Sequence, residues 1–229
     1  MTELEIIRDQ FNEFREYSFK IPSIKNYIYP KMTTDKFGEK TSKFTIKNYM
    51  DRYDEIVKDK QYQILFKDES LISLYYKFNS DGDIIQHNLS FIPSIDNYII
   101  LEEDGKEVNR LLMNSFTDYF RIDFDKTGYQ EITHCENHAH IGLKERRKKK
   151  NAEIDDINQI YYENAKTVDR NEIRFPVKHV IYPYDFIYII CKYVYHDSNK
   201  VLDSLKVDLE RRVILTDLEL ELLNIGFKS

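Results

Sequence analysis

Residues 71–92 read LISLYYKFNSDGDIIQHNLSFI, and this stretch decides the fold class. Along Leu71–Phe78, Ile72, Leu74, Tyr76 and Phe78 recur with a period of two, the mark of a strand with one buried face. Asn79-Ser80-Asp81-Gly82-Asp83 supplies a turn, with Gly82 free to take a positive φ. Ile84–Ile92 then returns with Ile85, His87, Leu89 and Phe91 on one face. Pro93 limits how far this strand continues inside a sheet, because proline has no N–H to give to a ladder.

Outward from this hairpin, more strands are predicted. Tyr62–Phe66 precedes it, and residues 98–101 follow. Tyr119–Phe124 alternates, with Tyr119, Arg121 and Asp123 on one side and Phe120, Ile122 and Phe124 on the other. Such alternation is that of a half-buried strand. Tyr129–His134, His138–Leu143 and Ile173–Val177 read as further strands.

Helices are predicted at both ends. Thr2 and Glu5 form a capping-box pattern ahead of Leu4, Ile7, Phe11 and Phe14. A looser stretch, residues 20–43, holds Pro22, Pro30 and Gly38, and a helix spans Thr45–Lys58 with a Tyr-rich apolar stripe. A short helix is expected over Lys106–Ser115, with Val108, Leu111 and Leu112 inward. Pro183 opens a helix whose residues 186–195 are apolar on nearly all sides, which predicts deep packing. Ser198 and Thr216 suit the N-caps of two closing helices, and Gly226 a C-terminal cap. Helices, then antiparallel-looking strands, then helices argue for an α+β fold with one mainly antiparallel sheet. The 229 residues are read as a single domain. It comprises a helical N-terminal region over 1–60, a sheet region over 61–180 interrupted by a basic and helical segment over 144–170, and C-terminal helices over 181–229.

Composition narrows the class. The chain carries 18 Tyr, 14 Phe and no Trp, with only 6 Gly and 5 Pro, which excludes collagen-like and low-complexity chains. The longest apolar run, near residues 186–191, is far short of the roughly 20 residues a membrane span needs. The acidic N-terminus has no apolar h-region, and 2 Cys are too few for a disulfide framework. A cytoplasmic protein with no membrane partner is expected. The net charge is −6, yet Lys144–Lys150 reads KERRKKK, a surplus of five positive charges. A polyanion would therefore be met locally, through Arg146, Arg147, Lys148, Lys149 and Lys150, unless the run is a solvated loop.

The strongest chemical signal is HCENHAH. Three of the six histidines, His134, His138 and His140, fall within seven residues. On a strand, His138 and His140 share a face. Gly142 behind them allows a close backbone approach. Two neighbouring imidazoles suit acid–base catalysis, since histidine titrates near neutral pH. RNA cleavage by 2′-hydroxyl attack needs such a pair and a cation for the phosphorane, and Arg174 is a candidate for that cation. The same residues also suit a divalent metal set of His134, His138 and His140, completed by Asp123 or water. The third reading is structural, with histidines hydrogen-bonded in or on the sheet. Arg121 and Asp123 form a cross-strand ion pair or belong to the site. His87, His196 and Cys135 read as structural, and His179 as a loop residue after the strand bearing Arg174.

Several motifs resemble a known family. Lys67-Asp68-Glu69-Ser70-Leu71-Ile72 with Tyr75-Tyr76-Lys77-Phe78 is similar to the Asp-x-Ser…Tyr-x-Phe pattern of a bacterial family catalogued as domain of unknown function 2290. Tyr119–Asp125 resembles its R-x-D-(Y/F)-D motif, and His134…His138-Ala139-His140-Ile141-Gly142 its H-x3-H-x-H-x-G motif. Arg174-Phe175-Pro176-Val177 and Pro183-Tyr184-Asp185-Phe186 resemble its tail. The resemblance covers roughly residues 60–195, with 144–170 as an insertion. A remoter likeness is to the TumE-type toxins of toxin–antitoxin pairs. It implies a nucleic-acid-acting effector, as in phage defence, restrained by a partner.

Together these readings give the expected function. It is a nuclease-like effector acting on RNA without metal, in a toxin–antitoxin or phage-defence setting. His138 and His140 serve as general base and acid, Arg174 holds the phosphate, and Asp123 or His134 orients an imidazole. RNA and a cognate inhibitor or defence-complex protein are the expected partners, and no cofactor is needed. The alternatives are a non-catalytic partner of a larger defence complex and a metal-dependent hydrolase.

Overall fold

The computed structural model describes residues 1–41, 44, 49–94, 98–103, 106–112, 119–125, 136–142, 173–197 and 200–204. The chain opens with helix α1 (Glu3–Tyr17), whose Thr2 and Glu5 close the capping box expected from the sequence. Satisfying these orphan amides fixes where the helix starts. Its start is docked on the central hairpin: Leu4 N donates to Gly82 O (2.9 Å), and Ile84 N donates to Glu3 Oε2 (2.6 Å). Ile7, Phe11 and Phe14 are fully buried on its inner face.

An eight-stranded antiparallel sheet forms the scaffold. In chain order it begins with β1 (Ile24–Tyr27), β2 (Lys36–Phe37), β3 (Ile64–Phe66), β4 (Leu71–Phe78) and β5 (Ile84–Ile92). Next come β6 (Tyr98–Glu103) and β7 (Lys106–Leu112), which pair with each other in a separate two-stranded sheet. The main sheet is completed by β8 (Phe120–Asp125), β9 (Asn137–Ile141) and β10 (Ile173–Pro176). Its order is β1-β3-β4-β5-β8-β9-β10, with β2 pairing β4 off this path. An α+β fold with one mainly antiparallel sheet, as the sequence implies, is therefore correct. Helix α2 (Tyr49–Asp59) covers a portion of one face, and α3 (Pro183–Ile189) runs on into a π-helical turn, Ile190–Val194. A last short helix, α4, spans Lys200–Ser204.

Four expectations change. Lys106–Leu112 is not a helix but strand β7. The spacing of Val108, Leu111 and Leu112 suits a helix, but strand pairing decides over local periodicity. The stretch 20–43, expected to be loose, contains β1 and β2. A bulge in the β4–β5 pairing sets Phe78 opposite Ile84, so Ile84 is buried and Ile85 is half-exposed, the reverse of the simple alternation. The segment after Pro183 buries Phe186, Ile187, Ile190 and Cys191, but Tyr193 is exposed. The predicted strand Tyr129–His134 and the caps Ser198, Thr216 and Gly226 lie outside the described residues.

The core sits on one face of the sheet. Ile72, Leu74, Tyr76, Leu89, Phe91, Ile122, Phe124 and Ala139 pack there against α1 and α3. Phe120 stacks on Phe186 with centroids 5.7 Å apart. Tyr184 in α3 is tied to α1 twice, its N–H donating to Gln10 Oε1 (3.1 Å) and its hydroxyl to Glu13 Oε2 (3.0 Å). A smaller aromatic cluster, Phe44, Tyr49, Tyr53 and Tyr119 among them, packs α2 against other residues of the sheet. Among the described residues, the aromatics are thus mostly core. Among the described residues, no helix is long and apolar enough to cross a membrane.

Candidate functional site

The opposite face of β5, β8 and β9 is polar yet buried. Cross-strand register sets Asn88, Asp123 and His138 in one row, and Ser90, Arg121 and His140 in the next. Since neighbours along a strand alternate, these six residues all lie on the face away from the main core. Asn88, Ser90, Arg121, His138 and His140 are all buried. Buried polar groups must find partners in one another, and Asn88, Ser90, Arg121 and His140 each do so on this face.

Asp123 is the hub. Its Oδ1 accepts a hydrogen bond from Asn88 Nδ2 at 2.6 Å. Its Oδ2 lies 2.7 Å from Arg121 Nε and 3.4 Å from His140 Nε2. Burial alone would raise this carboxyl's pKa, but the adjacent His140 ring and the Arg121 charge, with help from Asn88, hold it far below the ordinary carboxylate range. Asp123 is therefore ionised at any physiological pH. The Arg121–Asp123 pair runs within one strand, two residues apart, rather than across strands as the sequence suggests. The His138 and His140 rings lie edge to face with centroids 4.5 Å apart. His140 is 1% exposed and His138 7%, while the Asp123 side chain is 20% exposed.

The structure assembles some of the sequence-chosen residues. Asp123, His138 and His140 converge, with one ligand-type atom from each lying within 4.8 Å of the others. Arg174 occupies the register position opposite His140 on the neighbouring strand. His134, the basic residues Arg146, Arg147, Lys148, Lys149 and Lys150, and Cys135 lie outside the described residues. Gly142 has φ +83 and no atom within 4 Å of where a Cβ would stand. It is suited by its backbone conformation, and close approach is not the reason. Sequence reasoning misses Asn88 and Ser90, although their signal is present: they alternate with Leu89 and Phe91, a polar face against an apolar one.

Asp123, His138 and His140 are also the donor set that a metal ion could use. The chemistry of the carboxylate argues against this. Oδ1 is taken by Asn88 and Oδ2 is shared by a guanidinium and an imidazole. A cation bound at Oδ2 would have to share that oxygen with the Arg121 guanidinium and bear its repulsion. The arrangement fits a carboxylate that orients imidazoles better than one that ligates a metal.

The first resembling motif proves structural. Asp68 Oδ1 accepts from Ser70 N (3.0 Å), and the Tyr195 hydroxyl donates to the same carboxylate at 2.9 Å. Ser70 Oγ accepts from Ser94 N at 3.1 Å. This turn ties β3, β4 and the end of β5 to the C-terminal π-helical turn.

The fold and this polar sheet face define an α+β protein with an Asp–His–His cluster. The chain matches, over residues 16–155, the family described as "Uncharacterized conserved protein (DUF2290)", and it belongs to that family. The match starts earlier and ends sooner than the motif resemblance, so Arg174 and the R-x-P-V tail lie beyond it. No curated protein and no solved structure matches the chain.

Proposed function

We propose that the chain cleaves RNA by metal-independent acid–base chemistry centred on His138. The observation that carries this reading is the pair of imidazoles 4.5 Å apart, with the ionised Asp123 carboxylate 3.4 Å from the inner one. His138 is the more exposed of the two and is the group that meets substrate. His140, expected from the sequence to share the proton transfers, is almost fully buried behind it and acts instead as a positioning residue held by Asp123. Arg174, across from His140 in register, is the cation for the phosphate.

In this scheme the 2′-oxygen bonds to phosphorus and the P–O5′ bond breaks. His138 takes the 2′-hydroxyl proton as general base and water supplies a proton to the departing O5′, leaving a 2′,3′-cyclic phosphate and a 5′-hydroxyl. RNA is favoured because its own hydroxyl is the nucleophile, so no metal-bound water is required. The basic run begins soon after β9 in the chain and suits a polyanionic substrate. A cytoplasmic effector restrained by a protein partner, in a toxin–antitoxin or defence setting, is the context we propose for it.

The test is cleavage of single-stranded RNA in EDTA. Wild type is expected to yield cyclic-phosphate ends, and His138→Ala to lose about 10²–10⁴-fold in rate. Expression of wild type, but not of His138→Ala, should slow bacterial growth. No cleavage by wild type, or equal cleavage by the variant, overturns the reading. Cleavage that appears only with added Zn²⁺ or Mn²⁺ replaces it with the metal-dependent one.

A further inference from the structure

We infer that Thr41 and Asn88 are positioning residues of the Asp123–His140–His138 cluster, through a relay that begins in the segment at Gly38–Thr41. This rests on the acid–base reading of the site and adds to it a stretch of chain far away in sequence.

The relay is explicit. Thr41 Oγ1 donates to Asn88 Oδ1 at 2.7 Å, and Ser90 Oγ lies 3.4 Å from the same oxygen. With its oxygen turned toward two hydroxyls, the Asn88 amide must present its NH₂ group to Asp123, and it does so at 2.6 Å. The Asp123 carboxylate is thereby fixed in rotation, with Oδ2 directed to His140. Thr41 and Asn88 are both buried, so water cannot substitute for either link at low cost.

The chain is brought to this position by Gly38. Its φ is +72, and a Cβ there would fall 2.1 Å from Leu74 O. Only glycine lies this flat on β4, and three residues later Thr41 reaches the polar face. Beyond it, Phe44 packs on Tyr119 with centroids 5.0 Å apart, and the Tyr119 hydroxyl lies 3.4 Å from Ser90 Oγ. The segment is thus held at both ends over the cluster.

The experiment compares Thr41→Val, Thr41→Ser and Asn88→Leu with wild type. Folding is checked by thermal denaturation, and the ring-nitrogen NMR signals of His140 are read alongside RNA-cleavage kinetics. Thr41→Val and Asn88→Leu are expected to move the His140 ring signals and to lower kcat by about 10–100-fold with KM kept. Thr41→Ser, which retains the hydroxyl, is expected to behave as wild type. Folded Thr41→Val and Asn88→Leu proteins whose His140 signals match wild type would overturn the inference. If wild type cleaves no RNA, the acid–base reading fails on its own, and the ring signals still decide this relay.

Discussion

His87 and His140 are equally buried, on opposite faces of one sheet, and the protein treats them in opposite ways. His87 faces the main core between Tyr76 and Phe124, with ring centroids 5.9 and 5.6 Å away. Burial pushes its pKa down to about 4, only partly offset by Asp123 across the sheet. His140 faces the polar network and has the Asp123 carboxylate beside it. One histidine is held as a neutral, nearly aromatic core group; the other lies beside a carboxylate. What separates the two fates is which face of the sheet the residue occupies, and burial alone does not distinguish them.

Adjacent residues offer the sharpest way to break this contrast. Phe124 is fully buried on the core face, and Phe124→Ala is expected to cost about 3–5 kcal/mol in urea denaturation. A loss below about 1 kcal/mol would remove Phe124 from the core.

The acid side of the stability curve tests His87 next. Its ordinary value is 6.5 and its folded value about 4, so between these the unfolded chain binds a proton that the folded chain refuses. Stability is therefore expected to fall as pH drops from 6.5 toward 4, by about 3 kcal/mol at the acid end. His87→Phe should flatten that window. Asp123, whose folded pKa is depressed, contributes stability present above its ordinary value of 3.8 and lost only below it, so the two windows separate. An unchanged slope in His87→Phe would break the assignment.

On the polar face, Asp123→Asn leaves the Arg121 cation buried without its counter-ion. The expected loss is about 2–3 kcal/mol, at the low side for a buried pair because the carboxylate keeps some solvent. Replacing both, as Arg121→Met with Asp123→Leu, should recover most of it while abolishing any activity. Stability unchanged in Asp123→Asn would mean that the pair is not desolvated. The smallest effect concerns the helix over the core face: Thr2→Ala removes the α1 cap and should cost about 1 kcal/mol, with the polar face untouched.

Where the sequence is legible, the reason is physical. In β8 every second residue declares its side, so Arg121 and Asp123 separate cleanly from Phe120, Ile122 and Phe124 on the letters alone. In β5 the apolar face is plain and the polar one is not, because Asn88 and Ser90 look like ordinary surface residues until their burial is known. β1 and β2 are four and two residues long, too short for periodicity to register. β7 passes for a helix because the spacing of Val108, Leu111 and Leu112 follows the helical period, and only pairing with β6 makes it a strand. Thr41 cannot be found from sequence at all: nothing in its neighbourhood announces a partner at Asn88, and only the sheet brings them together.

The cross-strand register of β8 and β9 has an evolutionary consequence. Core and site are interleaved letter by letter in Asn137-His138-Ala139-His140-Ile141, so one inserted or deleted residue would turn both imidazoles into the core and Ala139 out of it. Substitution can therefore tune this strand, but a change of length within it cannot be survived. Length variation is expected between the strands instead. Ile141 and Ile173 are paired with each other, so the number of residues between them can change without shifting this register.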